Sequence, residues 1–294
     1  MEEISNKRKI IETPEMNENE DDMKRIKQIY RPMSPISSRR LENSIFGYKP
    51  TDDLFRTISD FIFRHCHLPD LEIEAKLGII IHKNEGKRLR LPIETEAALM
   101  DKYPYTFFQS EMSELFNARF SETNQPGFKG SKINYTHTNE VDEYYKYNNT
   151  RLRVTFDKKT NKRLFSLSKQ KIKSLDIYSP KTNLDFRISV NQENKIEAPE
   201  NLNLLFKREK DRISYRQDLF SFDLTKVESE NVNQPAHNPK TTYELEIEIA
   251  DIPTLAEEAK KAKKQLPNRF NEIVQCFINN IRVLAKSGLI ERPH

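Results

Sequence analysis

Glutamates at every second position mark two segments of the sequence. The segment 71–78 reads LEIEAKLG, and the segment 243–250 reads YELEIEIA. Because side chains of a β-strand alternate between its two faces, each segment predicts a strand with one apolar face and one charged face. The charged faces carry Glu72, Glu74, Lys76, Glu244, Glu246 and Glu248.

A surface strand is the simplest interpretation of one such segment, but two features disfavour it for the pair. Residues two apart on one face lie about 6.5–7 Å apart, so consecutive glutamates repel each other, and glutamate is a poor strand former. The pattern also occurs twice, in 71–78 and in 243–250. If the two strands are neighbours, their carboxylates converge and need a cation, and hard oxygen ligands select Mg²⁺ or Mn²⁺.

Basic residues with the same spacing occur between these two segments. They are Arg151 and Arg153, Lys169 and Lys171, and the series Arg208, Lys210, Arg212 and Arg216. A closed sheet with these faces inward cannot have a dry core, because unpaired buried charge is too costly. Such an interior would hold water, a metal and a polyanionic ligand, which is the composition expected of a phosphoryl-transfer site.

The hydrophobic pattern predicts the elements that position these residues. Strands are expected near 71–81, 132–147, 150–157, 163–172, 184–191, 207–216, 218–228 and 241–250. Helices are expected near 51–66, 94–102, 109–121, 253–265 and 267–287. We therefore expect one α+β domain over 46–294, built on an antiparallel sheet or barrel with helices outside, and a disordered tail over 1–45.

Bulk composition excludes several classes of protein. A net charge of only +4 does not by itself indicate a polyanion partner. Cys66 and Cys276 are too few for a disulfide framework, and each lies in a predicted helix, so we expect buried free thiols. No apolar run approaches the ~20 residues of a membrane helix, and no signal peptide is expected. Basic clusters at 7–9 and 24–27 fit a nuclear import signal or a solvated tail.

The ordered set of motifs resembles the triphosphate tunnel metalloenzymes, and most closely the fungal-type RNA 5′-triphosphatases of mRNA capping. The resemblance covers roughly residues 50–290. Besides the two glutamate segments, it is carried by SLSKQKI (166–172), IYSPK (177–181), REKDRISY (208–215) and FDLTKVE (222–228).

The resemblance implies a fold and an activity. The expected fold is an eight-stranded antiparallel β-barrel, closed into a tunnel, with flanking helices. The expected activity is hydrolysis of the γ-phosphate of triphosphate-ended RNA to a diphosphate end, the first step of cap formation. A homodimer, a nuclear location, and the mRNA guanylyltransferase or the RNA polymerase II machinery as partner are also implied. Exposed apolar positions in 46–66 are the candidate interface of the dimer.

The resemblance further implies roles for particular residues. Direct ligands of Mg²⁺ or Mn²⁺ would be Glu72, Glu74 and Glu248, with Glu246 supporting the site and Glu244 pairing with tunnel cations. The γ-phosphate would be held by Lys169, Arg212 and one or both of Arg151 and Arg153. The tunnel wall would be completed by Arg208, Lys210 and Lys76, with Asp223 bracing basic side chains. Glu193 would orient or deprotonate the attacking water.

Two departures and two alternatives accompany this interpretation. Ser221 occupies a position where the family often has arginine, and the chain has no tryptophan, so the tryptophan-containing segment by which some relatives bind the guanylyltransferase is absent. The same scaffold could serve a tripolyphosphatase or nucleoside triphosphatase. A non-catalytic module binding RNA or another polyanion is the other alternative, although we expect Phe and Tyr mostly on apolar strand faces, without a stacking platform.

Overall fold

The computed structural model describes residues 42–101, 103–112, 133–148, 150–199, 202–231 and 240–287. The chain divides into two compact units between Pro50 and Thr51. The described part of the first unit, residues 42–50, contains turns and bends but no helix or strand. The predicted disorder of 1–45 falls almost entirely outside the described residues and stays a prediction.

The second unit contains eleven strands and three helices within its described residues. The strands are β1 (Leu71–His82), β2 (Lys87–Arg88), β3 (Ala97–Ala98), β4 (Thr106–Gln109), β5 (Asn134–Tyr147), β6 (Thr150–Asp157), β7 (Arg163–Tyr178), β8 (Asp185–Lys195), β9 (Leu204–Gln217), β10 (Phe220–Asn231) and β11 (Lys240–Ile249). The helices are α1 (Asp53–Phe63), α2 (Ile252–Lys263) and α3 (Phe270–Ser287). None of these described helices has the length and apolar character needed to cross a membrane.

Eight of the strands form a closed antiparallel barrel. Hydrogen bonding connects them in the order β11-β10-β9-β5-β6-β7-β8-β1, and β1 pairs with β11 to close the ring. Glu74 is opposite Glu248 and Lys76 is opposite Glu246 at this closure. The predicted eight-stranded barrel is confirmed, and the two glutamate strands are its neighbours.

Turn residues that tolerate a left-handed backbone connect the barrel strands. Asn148 between β5 and β6, Asn161 between β6 and β7, and Asp218 between β9 and β10 all have positive φ, near +50°. Asn and Asp accept this conformation because their short polar side chains hydrogen-bond locally. These turns keep successive strands antiparallel and fix which side chains point into the barrel.

The apolar faces of β1 and β11 pack beneath the C-terminal helices. Ile73 and Leu77 of β1, and Ile247 of β11, are fully buried in one cluster with Phe277 and Ile281 of α3. Fully burying one such side chain stabilises the fold by roughly 1.5–3 kcal/mol. Because strand side chains alternate, covering this face with helices directs the glutamates of both strands into the barrel.

Aspartates cap the first turns of two of the helices. Asp52 accepts a hydrogen bond of 2.8 Å from the backbone N–H of Phe55 at the start of α1. Asp251 accepts one of 3.0 Å from the N–H of Thr254 at the start of α2, where Pro253 lies in the first turn. α1 ends at Phe63, three residues before its predicted end, and Cys66 lies in the turn that follows.

Two sequence-based predictions are wrong, and a third is tested only at its start. The helix predicted over 94–102 is absent from its described residues, 94–101, because Ala97 and Ala98 form β3 and pair with Tyr178 and Ile177 of β7. The helix predicted from 109 to 121 does not begin at Gln109, which belongs to β4, and residues 113–121 lie outside the described part. Local helix preference yields here to sheet pairing between distant segments. Cys276, expected to be buried, is exposed on α3.

β7 extends six residues beyond the predicted end at residue 172, and a bulge explains why the prediction ended there. Its register against β8 shifts between Lys171 and Lys173, and pairing then continues to Ile177. One extra residue at a bulge changes the alternation of side chains, so a simple two-residue period ends there.

Candidate active site

The inward side chains of the barrel surround a cavity of about 490 Å³. Every predicted site residue except Arg151 lines this cavity, and Arg151 lines an adjoining one. The residues of the first cavity that the predictions named are Glu72, Glu74, Lys76, Arg153, Lys169, Glu193, Arg208, Lys210, Arg212, Asp223, Glu244, Glu246 and Glu248.

Carboxylates from β1 and β11 form one side of the cavity. Burial, together with the nearby charges of Glu72 and Asp223, raises the pKa of Glu248 to about 8. Burial likewise raises the pKa of Glu74 to about 7, although Lys76 opposes that shift. Burial thus disfavours the charged forms of these two carboxyl groups, and a cationic ligand would relieve that cost.

A lysine side chain lies among carboxylates of β1 and β8. The Nζ of Lys169 contacts a carboxylate oxygen of Glu72 and lies 3.7 Å from Glu74 and 3.6 Å from Glu193. The described residues contain no ready-made cluster of three His, Cys, Asp or Glu ligands around one point. Nevertheless, three carboxylates already face one cationic group, so the oxygen donors present fit a divalent cation.

Asn191 organises the glutamates of β1, and sequence reasoning missed it. Its Nδ2 donates hydrogen bonds of 2.8 Å to Glu72 and 3.0 Å to Glu74, and only 3% of the residue is exposed. Asn191 is opposite Glu72 in the β1–β8 pairing and lies two residues before Glu193 on β8. Because alternate residues of a strand share a face, the predicted inward position of Glu193 also implies an inward position for Asn191.

Arginines on the opposite walls are held by acidic partners. Arg153 lies 3.4 Å from Glu193, Arg208 lies 2.7 Å from Glu244, and Arg212 lies 3.4 Å from Asp223. Glu244 and Asp223 therefore each contact an arginine, and the roles predicted for them stay predictions. Ser221, where the family often has arginine, donates a 2.9 Å hydrogen bond to Asp223.

Two of these arginines keep unused hydrogen-bond donors. The buried Nε atoms of Arg153 and Arg212 have no partner among the described residues. Buried polar atoms are nearly always satisfied in proteins, so unpaired donors beside a cavity indicate a ligand with acceptor oxygens. Guanidinium groups suit phosphate oxygens for this purpose.

A buried ion pair joins β5 and β9 on the wall of the cavity. Lys210 contacts Asp142, whose carboxylate also accepts a 2.6 Å hydrogen bond from the hydroxyl of Thr155. Exposure is 6% for Lys210 and 1% for Asp142. Burial alone would raise the pKa of Asp142, but the charges of Lys210 and Arg153 lower it below its ordinary value. Asp142 was not predicted, although its spacing from Glu140 and Tyr144 places all three on one strand face.

The family model for "mRNA capping enzyme, beta chain" matches residues 48–288. The chain belongs to the mRNA capping enzyme beta-chain family. A Cryptococcus neoformans mRNA-capping enzyme subunit beta is 29% identical over 88% of this chain and 67% of its own length. The Schizosaccharomyces pombe subunit is 28% identical over 85% of this chain and 86% of its own length.

Solved structures of a capping triphosphatase share the barrel. This beta chain is similar to S. pombe Pct1 RNA triphosphatase with a TM-score of 0.75 and 28% identity, over 84% of this chain and 98% of that one. The fold and activity implied by the motifs are thereby confirmed: the protein is an RNA 5′-triphosphatase of mRNA capping, and it acts in the first step of cap formation.

Proposed function

We propose that this capping-enzyme beta chain binds the triphosphate end of RNA inside the barrel and releases the γ-phosphate there. The observation that supports this placement is the division of the 490 Å³ cavity into an acidic side, from β1 and β11, and basic walls facing it. Carboxylates suit a divalent cation and arginines suit phosphate oxygens, so the two sides together fit a metal-bound triphosphate.

Glu72, Glu74 and Glu248 would hold the cation, which we infer to be Mg²⁺ or Mn²⁺. When bound, it would neutralise charge on the phosphate oxygens and polarise the γ-phosphoryl group. Asn191 keeps two of these glutamates in place through the hydrogen bonds described above. Glu246 is engaged by Lys76 and would act from behind the ligands.

Lys169, Arg153 and Arg212 would neutralise the charge that develops on the equatorial γ-oxygens. Lys169 and Arg153 both lie near Glu193, so this carboxylate is close to the groups assigned to the γ-phosphate. Glu193 would orient the attacking water and accept its proton. Arg151 lies in the adjoining cavity, which favours Arg153 as the phosphate ligand of the two.

A phosphate-release assay on triphosphate-ended RNA tests the assignment. We expect release to require Mg²⁺ or Mn²⁺ and to stop when EDTA is added. Glu74→Gln keeps the shape of the side chain but removes its charge, so it should reduce release at least about 100-fold. Glu72→Ala and Glu248→Ala should do the same.

Glu209→Gln is the matched control for these variants. Glu209 lies on the outward face of β9 and makes an exposed ion pair with Lys158. Its loss should leave release near the wild-type rate. Normal turnover by all three glutamate variants would refute the metal assignment. Competition between triphosphate-ended RNA, free nucleotide and tripolyphosphate measures how strongly the tunnel prefers RNA over the substrates of the alternative activities.

Association with the RNA polymerase II machinery is inferred from a relative. The similar Pct1 structure has also been solved in complex with the Spt5 CTD, with a TM-score of 0.74. We infer that this chain is recruited in a comparable way, with guanylyltransferase binding as the alternative.

A homodimer and a nuclear location belong to the same proposal. Light scattering tests the homodimer, and imaging of the tagged chain tests the location.

A further inference from the structure

A second cavity of about 650 Å³ adjoins the one that holds the proposed triphosphate site. The two share Tyr144, Arg153, Lys169 and Arg208 in their walls. A ligand whose triphosphate lies in the first cavity can therefore extend directly into the second. The triphosphate alone does not account for this second cavity.

Two stacked aromatic rings form part of this second cavity. The rings of Tyr144 and Phe206 are 4.4 Å apart between centroids and are inclined by 14°. The two residues are opposite each other in the β5–β9 pairing. They share strand faces with Asp142 and Arg208, so both point into the barrel. The expectation that Phe and Tyr mostly lie on apolar faces therefore fails at these two positions.

An arginine also lies over the Phe206 ring. The guanidinium of Arg151 lies 6.0 Å from the centroid of the Phe206 ring, and Arg151 is an exposed residue. We expect this exposed side chain to move aside and admit a flat group beside Phe206. Nucleobases stack on aromatic rings and on guanidinium planes with little dependence on their sequence.

The charge of the second cavity also differs from that of the first. Its described lining contains the basic residues Arg151, Arg153, Lys169, Arg208 and Lys240, and Glu230 as its only acidic residue. Among the described residues, nine carboxylates line the first cavity. The basic second cavity therefore suits a phosphodiester backbone, whereas the mixed first cavity suits a metal-bound triphosphate.

We propose that Phe206, backed by Tyr144 and covered by Arg151, is the stacking site for the first nucleobase of the RNA. This inference rests on the proposed function, because it places the triphosphate of the same RNA in the first cavity. Arg208 and Lys240 would then lie beside the phosphates that follow. Stacking tolerates every base, so the site would favour nucleotide-bearing substrates over inorganic triphosphate without selecting the first base.

Parallel kinetics on two substrates test this stacking site. Phe206→Leu keeps an apolar side chain but removes the aromatic ring. We expect it to raise KM for triphosphate-ended RNA about tenfold, with kcat little changed. KM for inorganic tripolyphosphate, which has no base, should stay within about twofold of the wild-type value. Phe206→Trp keeps a stacking surface and should retain most of the affinity for RNA.

Tyr135→Leu is the matched aromatic control. Tyr135 lies on β5 at a position whose side chain points to the outer face, and 56% of it is exposed. It should leave both KM values unchanged. Equal effects of Phe206→Leu on the two substrates, or no effect on RNA, would overturn the stacking site. Failure of the wild-type chain to release phosphate from RNA would instead reject the proposed function.

Discussion

Single hydrogen bonds decide how the acidic side of the cavity is arranged. Glutamate side chains have several rotatable bonds, and without a partner they would adopt many positions. Asn191 removes that freedom by donating to Glu72 and Glu74 at once from the neighbouring strand. Residues that orient metal ligands influence affinity strongly even though they do not touch the metal.

Replacing Asn191 tests this positioning role. Asn191→Ala should raise the Mg²⁺ or Mn²⁺ concentration that gives half-maximal phosphate release by about 10- to 100-fold. The rate at saturating metal should fall less, because the ligands themselves remain. Gln192→Ala, one residue later and on the other face of β8, is the control. A metal titration that Asn191→Ala leaves unchanged would show that the glutamates are positioned by other contacts.

At the scale of elements, ion pairs across neighbouring strands make the charged interior of the barrel stable. The Asp142–Lys210 pair joins β5 to β9 and is almost inaccessible to solvent. Removing one member of such a pair is costly, because the other charge stays buried without compensation. The same strands carry the exposed residue Glu209, whose ion pair with Lys158 contributes little.

Asp142→Asn should lower the free energy of unfolding by about 3 kcal/mol at pH 7, measured by urea denaturation. Lys210 and Arg153 outweigh burial and depress the pKa of Asp142 in the folded protein. Its contribution to stability is therefore complete above the ordinary aspartate pKa and is lost as pH falls through the folded value.

The difference between wild type and Asp142→Asn should consequently be constant from pH 8 to 5 and narrow below about pH 4. Glu209→Gln provides the exposed comparison and should hardly change the urea midpoint. If Asp142→Asn is as stable as Glu209→Gln at pH 7, the buried pair does not support the barrel wall.

At the scale of the whole molecule, one helical layer and one closed sheet share a core. The cluster beneath the helices joins α1, α2 and α3 to the outer faces of β1 and β11. Cys66 belongs to this cluster, and its thiol donates to the backbone oxygen of Ile62. Its reactivity therefore reports whether the helical layer is in place.

We expect one reactive thiol in the native protein at pH 8. Burial raises the pKa of Cys66 to about 12, so this side chain is an unreactive thiol in the folded state. Cys276 is exposed and should react with DTNB at once. The second thiol should react only after denaturant is added, and Cys276→Ser should abolish labelling of the native protein. Rapid labelling of two thiols without denaturant would mean that the core opens readily.

The alternation of residue types by itself determined much of this protein. The period of two in 71–78, 208–216 and 243–250 separates apolar from charged faces, and that separation is a local property of any strand. It was enough to predict the strands, to group the acids and bases that line the cavity, and to support the family resemblance. The helices after 250 were equally readable from their apolar spacing and from Pro253.

Only the tertiary structure decided which segments meet. The pairing of β1 with β11 joins residues far apart in the chain, and the partners of Asn191, Asp142 and Phe206 come from other strands. β3 forms where local preference favours a helix, because Ala97 and Ala98 pair with β7. The alternation of polar and apolar residues is a local property of the sequence. Which strands pair depends on closing the whole barrel, and no local sequence period contains that information.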